Sequence, residues 1–138
     1  MSGAYDGAVP RATPETQPYW DAAREGFLQL PWCEECGQAH FHPRALCPHC
    51  GGARLTWRRA SGRARLHTYV INHKPAKGFE DRVPYVIAVV ELEEGPRMLT
   101  NIEIAEPTPE KLVIDMPLVV DFRRVTDAVA LPVFRPAP

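Results

Sequence analysis

The sequence predicts a mainly β protein: a short N-terminal helix, a small metal-clamped ribbon, then a five-stranded closed barrel. Three observations carry this. All four cysteines fall within CEECGQAHFHPRALCPHC, Cys33 to Cys50, as two C-x-x-C pairs separated by ten residues. After them come five runs with strand patterning in roughly 80 residues, each bounded by turn signals. An aromatic stripe at helical spacing precedes both.

Residues 1–26 are the lead and the helix. The first twelve, MSGAYDGAVPRA, are rich in Gly and Ala without periodicity, as a loose lead-in would be. Thr13 or Thr16 offers an N-cap and Gly26 a stop for a helix reaching about Glu25. Tyr19, Trp20, Ala23 and Phe27 recur at helical spacing. So short a helix is marginal alone and has to dock. It can dock on its own domain, or on a partner subunit through Tyr and Trp, which are frequent interface anchors. Tyr19, Trp20 and Phe27 are the candidate partner contacts.

Residues 27–56 are the ribbon. Phe27 to Trp32 reads as a strand leading into the first cysteine pair. Each C-x-x-C is a tight turn presenting two sulfurs, and two such turns facing each other close a tetrahedral site. Cys33, Cys36, Cys47 and Cys50 are the predicted ligands, and zinc the predicted ion, since it accepts four thiolates in a tetrahedron. Four cysteines leave no open position for water or substrate, so the zinc is structural. Gly37 and Gly51 follow each pair, where a positive φ would turn backbone N–H groups toward sulfur. Paired disulfides would suit a secreted chain, but no signal peptide opens this one, and a reducing cytoplasm is the expected compartment. A redox C-x-x-C would come singly beside a βαβ pattern, which is absent. His40, His42 and His49 lie close enough to raise the question of ligand substitution, yet a complete cysteine set makes them packing or surface groups. Phe41 and Leu46 are the apolar residues of the module. With so little core, metal binding worth on the order of 10 kcal/mol has to supply its folding energy.

Residues 57–138 are the barrel. Arg63 to Ile71 alternates, with Ala64, Leu66, Thr68 and Val70 on one face. Tyr85 to Leu92 is nearly continuous apolar, as a strand buried on both faces would be. Glu94-Gly95-Pro96 turns into a partner at Met98 to Ile104, and a short helix or loop follows around Pro107 to Leu112. Leu118 to Val125, entered by the turn Ile114 to Pro117, and Val129 to Phe134 complete the five. Closure removes exposed strand edges. The tail FRPAP is expected to fall outside the sheet. Residues 72–83, NHKPAKGFEDRV, are long for a hairpin loop, and such loops are often functional. Lys74, Lys77 and Arg82 there are candidate phosphate contacts.

Composition narrows function. A net charge of -1 gives no overall attraction to nucleic acid or anionic membranes, although Arg54, Arg58, Arg59, Arg63 and Arg65 form a local basic stripe. The longest apolar run is too short to span a bilayer. There is no G-x-S-x-G, H-E-x-x-H, P-loop or G-x-G-x-x-G, and every cysteine is committed to metal. The chain does not look like a catalyst on its own.

The ordered set PYWDAAREG, C-x-x-C-G, F-x-P-R-x-x-C-P-x-C, SGRARLHTYV, PYVIAVVEL-x-EGPRMLTN, MPLVVDF and LPVFRP resembles the DUF35 family. The resemblance runs from about Pro18 to Pro136. It implies a rubredoxin-like zinc ribbon joined to an OB-fold. It also implies an accessory subunit of a thiolase-superfamily enzyme (a thiolase, an acyltransferase, or a thiolase-like aldolase of steroid side-chain degradation) with a CoA thioester near the interface. One departure is Asp115, where the family usually has Gly before Met-Pro; Asp tolerates a left-handed turn at some cost. The alternative is an OB-fold binding single-stranded nucleic acid through the Arg54–Arg65 stripe, with Tyr69 as a stacking platform.

Overall fold

The computed structural model describes residues 7–138, so residues 1–6 of the expected lead-in lie outside it. The chain folds as α1 (Gln17–Glu25), β1 (Gln29–Cys33), β2 (Leu55–Arg59), β3 (Arg63–Asn72), β4 (Tyr85–Leu92), β5 (Arg97–Ile102), β6 (Pro117–Arg124) and β7 (Ala130–Pro136). β1 and β2 make an antiparallel two-stranded ribbon, and β3-β4-β5-β7-β6 close into a barrel. None of the described helices is long and apolar enough to cross a membrane.

Thr16 stands at the N-cap position of α1 without a capping side-chain hydrogen bond, and Gly26 ends the helix with φ 94°. The Gly26 N–H donates to Ala23 O and the Phe27 N–H to Ala22 O, both at 3.1 Å, so two carbonyls at the helix end are satisfied. Phe27 therefore belongs to the helix stop, and the first strand begins two residues later than its alternation suggests. β1 pairs with β2 in the register Gln29↔Arg59 to Cys33↔Leu55. Leu55–Arg59 thus pairs within the ribbon sheet, and residues 60–62 lead from it into β3.

The barrel core is built from Leu66, Val90 and Phe134, each 0% exposed, with Val86, Leu92 and Leu118 around them. It is continuous with Tyr19, Leu28 and Leu30, so helix, ribbon and barrel share one apolar cluster. α1 lies against β1, β6 and β7, and the Arg124 side chain donates to Arg24 O at 3.2 Å.

Four expectations need correction. Thr68 and Val70 do not continue the core face of Ala64 and Leu66. The β3–β4 register shifts between Leu66 and Thr68, and such a bulge exchanges the two faces of a strand. Val70 is 57% exposed, while Tyr69 and Ile71 pack on the core. β4 is not buried on both faces; it alternates, with Val86, Ala88, Val90 and Leu92 inward and Tyr85, Ile87, Val89 and Glu91 half-buried. The barrel covers one side of that strand only. The tail does not leave the sheet, because Pro136 pairs with Leu118 and Arg135 with Val119. The Ala137 N–H donates to Pro117 O at 3.1 Å. In antiparallel pairing hydrogen-bonded and non-bonded pairs alternate, so Pro136 occupies a non-bonded position where its missing N–H costs nothing. Leu46, finally, is 55% exposed and contributes no core.

Candidate functional site

The two knuckles are built alike. The Gly37 N–H donates to Cys33 O and the Gly51 N–H to Cys47 O, both at 2.8 Å, closing each turn around its cysteine pair. Each glycine stands at positive φ, 76° and 79°, which lets the chain reverse and return. Cys33 N–H then donates to Gln38 O (3.0 Å) and Cys47 N–H to Gly52 O (2.8 Å). The N–H groups that meet sulfur come from other residues than the two glycines. His49 N–H points to Cys47 Sγ and Gly52 N–H to Cys50 Sγ, both at 3.4 Å.

The sulfurs of Cys33, Cys36, Cys47 and Cys50 all lie within 4.8 Å of one another. Cys33 and Cys50 sulfurs are 3.6 Å apart, and those of Cys36 and Cys47 3.7 Å. A tetrahedron with Zn–S of about 2.3 Å has edges of about 3.8 Å, so the donor set fits a tetrathiolate zinc. Charge supports the same fit. Backbone N–H donation, from Cys36 first, holds the Cys33 thiol down to about 7. At Cys50 the Gly52 N–H pulls the same way, but the Cys33 sulfur, desolvation and the Cys36 and Cys47 sulfurs outweigh it and push the thiol up to about 12. Four crowded sulfurs cannot all ionise without a cation among them. The site suits a structural zinc, closed to substrate.

The histidines stand apart from this set. His40 is buried and neither ring nitrogen has a hydrogen-bond partner. Burial first, then His49 and Arg44, hold its pKa below the ordinary value, so it is a neutral packing group. His49 Nε2 lies 3.2 Å from Ala39 O.

The remaining candidates are scattered. Tyr19 is 3% exposed and packs edge-on to Trp20, with Phe41 5.4 Å away on the ribbon. Its side chain is built into the chain's own core, which corrects its candidacy as a surface anchor. Trp20 and Phe27 are half-exposed, and the Arg59 guanidinium stacks 4.8 Å from the Phe27 ring. Lys74 and Lys77 are exposed on the loop between β3 and β4, and Arg82 is half-buried there, 5.7 Å from the Phe79 ring.

The basic stripe is largely neutralised within the chain. Arg58 meets Glu34 at 2.8 Å, Arg63 meets Glu93 at 2.9 Å and Arg65 meets Glu91 at 3.7 Å. Tyr69, the expected stacking platform, is half-buried and packs against the core. Sequence reasoning missed Glu34 and Glu93 as partners, because each lies in a different element from its arginine and no spacing rule links them.

Comparison with known proteins places this arrangement. The family profile described as the ChsH2 rubredoxin-like zinc ribbon domain matches residues 20–56, and that of the ChsH2 C-terminal OB-fold domain matches 57–123. A "DUF35 domain-containing scaffold protein" of Methanocaldococcus jannaschii is 36% identical over 69% of this chain and 67% of its own length. A "Probable enoyl-CoA hydratase alpha subunit" of Thermomonospora curvata is 37% identical over 86% of this chain, which spans only 36% of that relative. Among solved structures, "Ltp2-ChsH2(DUF35) aldolase" superposes with a TM-score of 0.81 at 33% identity, covering 94% of this chain and 99% of that one. The ribbon and barrel profiles together match residues 20–123, and the chain belongs to the DUF35 family.

Proposed function

We propose that this chain is a non-catalytic accessory subunit that binds and supports a thiolase-like enzyme acting on acyl-CoA substrates. The observation that carries this is the superposition on the DUF35 chain of an Ltp2–ChsH2 aldolase, over nearly the full length of both. The residues agree with it. All four cysteines converge on one closed metal site, and the sequence holds no G-x-S-x-G, H-E-x-x-H or P-loop motif. A "3-oxo-4,17-pregnadiene-20-carboxyl-CoA hydratase alpha subunit" of Mycobacterium tuberculosis is 30% identical over 79% of this chain, and the chain spans 34% of its length. Its name supports steroid side-chain thioesters as a substrate class for the assembly.

The docking surface we assign to the ribbon with the half-exposed Trp20 and Phe27. The CoA thioester we place near the loop after β3, where Lys74, Lys77 and Arg82 supply cations for its phosphates. The internal pairing of the arginine stripe favours this reading over single-stranded nucleic acid.

The test is co-expression with candidate thiolase-superfamily proteins, followed by pull-down and acyl-CoA assays. The expected result is a stable hetero-oligomer whose activity drops when this chain is omitted. A partner fully active and soluble alone overturns the proposal. So does tight, salt-sensitive retention of the chain on single-stranded DNA or RNA.

A further inference from the structure

The barrel closes unevenly. β3–β4, β4–β5 and β6–β7 pair along most of their lengths, whereas β5 and β7 meet at one parallel pair, Ile102 and Phe134. The Thr100 hydroxyl donates to Pro132 O at 3.2 Å, a side chain standing where a backbone bond would otherwise run. Beside this short seam lies a cavity of about 260 Å³.

Its walls come from three sources. Ile102, Ile104, Leu131 and Val133 line it from the β5 and β7 region, Phe79 from the loop before β4, and Tyr85 from the start of β4. Those two rings meet edge to face at 5.4 Å. Polar groups are few and gathered: Asn101, Glu103, Arg82 and Arg123. Asn101 is held in place by donating to Val86 O at 2.8 Å, and Arg123 donates to Glu103 at 3.2 Å. An apolar chamber with a small convergent set of polar groups is the usual composition of a small-ligand site. Size limits what enters. A dry apolar cavity of about 150 Å³ holds one benzene, so this one holds about one to two such rings and not a whole fused four-ring body.

We propose that this cavity binds the apolar end of an acyl group, a medium-length chain or one to two rings, packed against Ile102, Ile104, Leu131 and Val133. The acyl class rests on the accessory-subunit reading; the pocket itself rests on the seam between β5 and β7.

The test is a methyl-NMR titration of the full zinc-loaded chain with octanoyl-CoA and, separately, with free CoA. Octanoyl-CoA is expected to shift the Ile102, Ile104, Leu131 and Val133 methyls saturably, while free CoA leaves them in place. Ile104→Trp, which fills the chamber, is expected to weaken binding at least tenfold with zinc content unchanged; Leu131→Trp serves if the first variant misfolds. Silent methyls, equal shifts with free CoA, or undiminished binding in the filled variants overturn the pocket. Assembly is scored separately by pull-down with a thiolase-superfamily protein. Silent methyls in a chain that still assembles sink the pocket alone, and responsive methyls in a chain that finds no partner sink the accessory reading alone.

Discussion

The ribbon and the barrel solve the same problem by opposite means. The ribbon has two five-residue strands and two knuckles, and beyond β1 its apolar groups are few: Phe41 reaches Tyr19, and Leu46 faces solvent. The barrel buries a continuous cluster, which the ribbon joins through Leu28, Leu30 and Ala39. The ribbon adds bonds to one ion to its share of that cluster, whereas the barrel relies on dispersed apolar contact. Loss of stability should therefore be abrupt and chemical in the first, graded and steric in the second.

The largest effect follows from taking the ion away. Cys47→Ala, or a strong chelator, removes stabilisation on the order of 10 kcal/mol from the ribbon. Zinc content by elemental analysis is expected to fall to zero, with hydrogen exchange protection lost across β1 and β2 and kept in part across β4. Unchanged metal in that variant means Cys47 is not a ligand. Global collapse would show instead that the shared cluster through Tyr19, Leu28 and Leu30 makes the two regions one cooperative unit.

Leu66→Ala breaks the other side of the comparison. Leu66 is 0% exposed at the centre of the barrel, and such a truncation costs about 2–5 kcal/mol. Urea unfolding should report that loss while zinc stoichiometry stays at one per chain. A variant that also sheds zinc would show that the barrel holds the knuckles in place.

Gly62→Ala acts on the passage between the two regions. Gly62 stands at φ 83°, and an added Cβ would lie 2.8 Å from Val120 Cγ1. The left-handed backbone alone costs an L-residue about 1–2 kcal/mol, and Val120 has to shift as well. A stability loss of about 1–3 kcal/mol is expected, without change in metal content. No loss would mean that the 60–62 passage relaxes freely and couples nothing.

The two regions also differed in how openly the sequence declared them. A metal clamp is a local pattern, and four cysteines at that spacing specify ligands, ion and knuckle glycines together. The barrel's strands were legible as apolar runs bounded by turn signals, and the left-handed turn at Asp115 through the family resemblance. What stayed hidden depends on contacts distant in sequence. The bulge between Leu66 and Thr68 turns Tyr69 inward, and no residue in RARLHTYVI marks it. FRPAP reads as a sheet breaker, yet the pairing parity with β6 makes Pro136 harmless. Tyr19 and Trp20 are adjacent in an amphipathic helix, and only the packing of α1 on the ribbon decides that Tyr19 is interior. The cavity is likewise a property of the β5–β7 seam, which joins residues more than thirty positions apart.

Asp115→Gly is the smallest test and the sharpest for the barrel's local geometry. Asp115 sits at φ 70°, its N–H donates to Leu66 O at 2.8 Å, and it is exposed. Glycine relieves the left-handed penalty, up to about 1–2 kcal/mol for an L-residue and less for Asp. It also frees the unfolded chain, which costs about 0.4–1 kcal/mol in return. The balance is a net gain below about 1 kcal/mol, seen as a Tm rise of a few degrees with metal content and ribbon exchange untouched. A fall in Tm would mean that the carboxylate, rather than the backbone bond to Leu66, holds this turn beneath β3, and the steric account of Asp115 would have to be replaced by an electrostatic one.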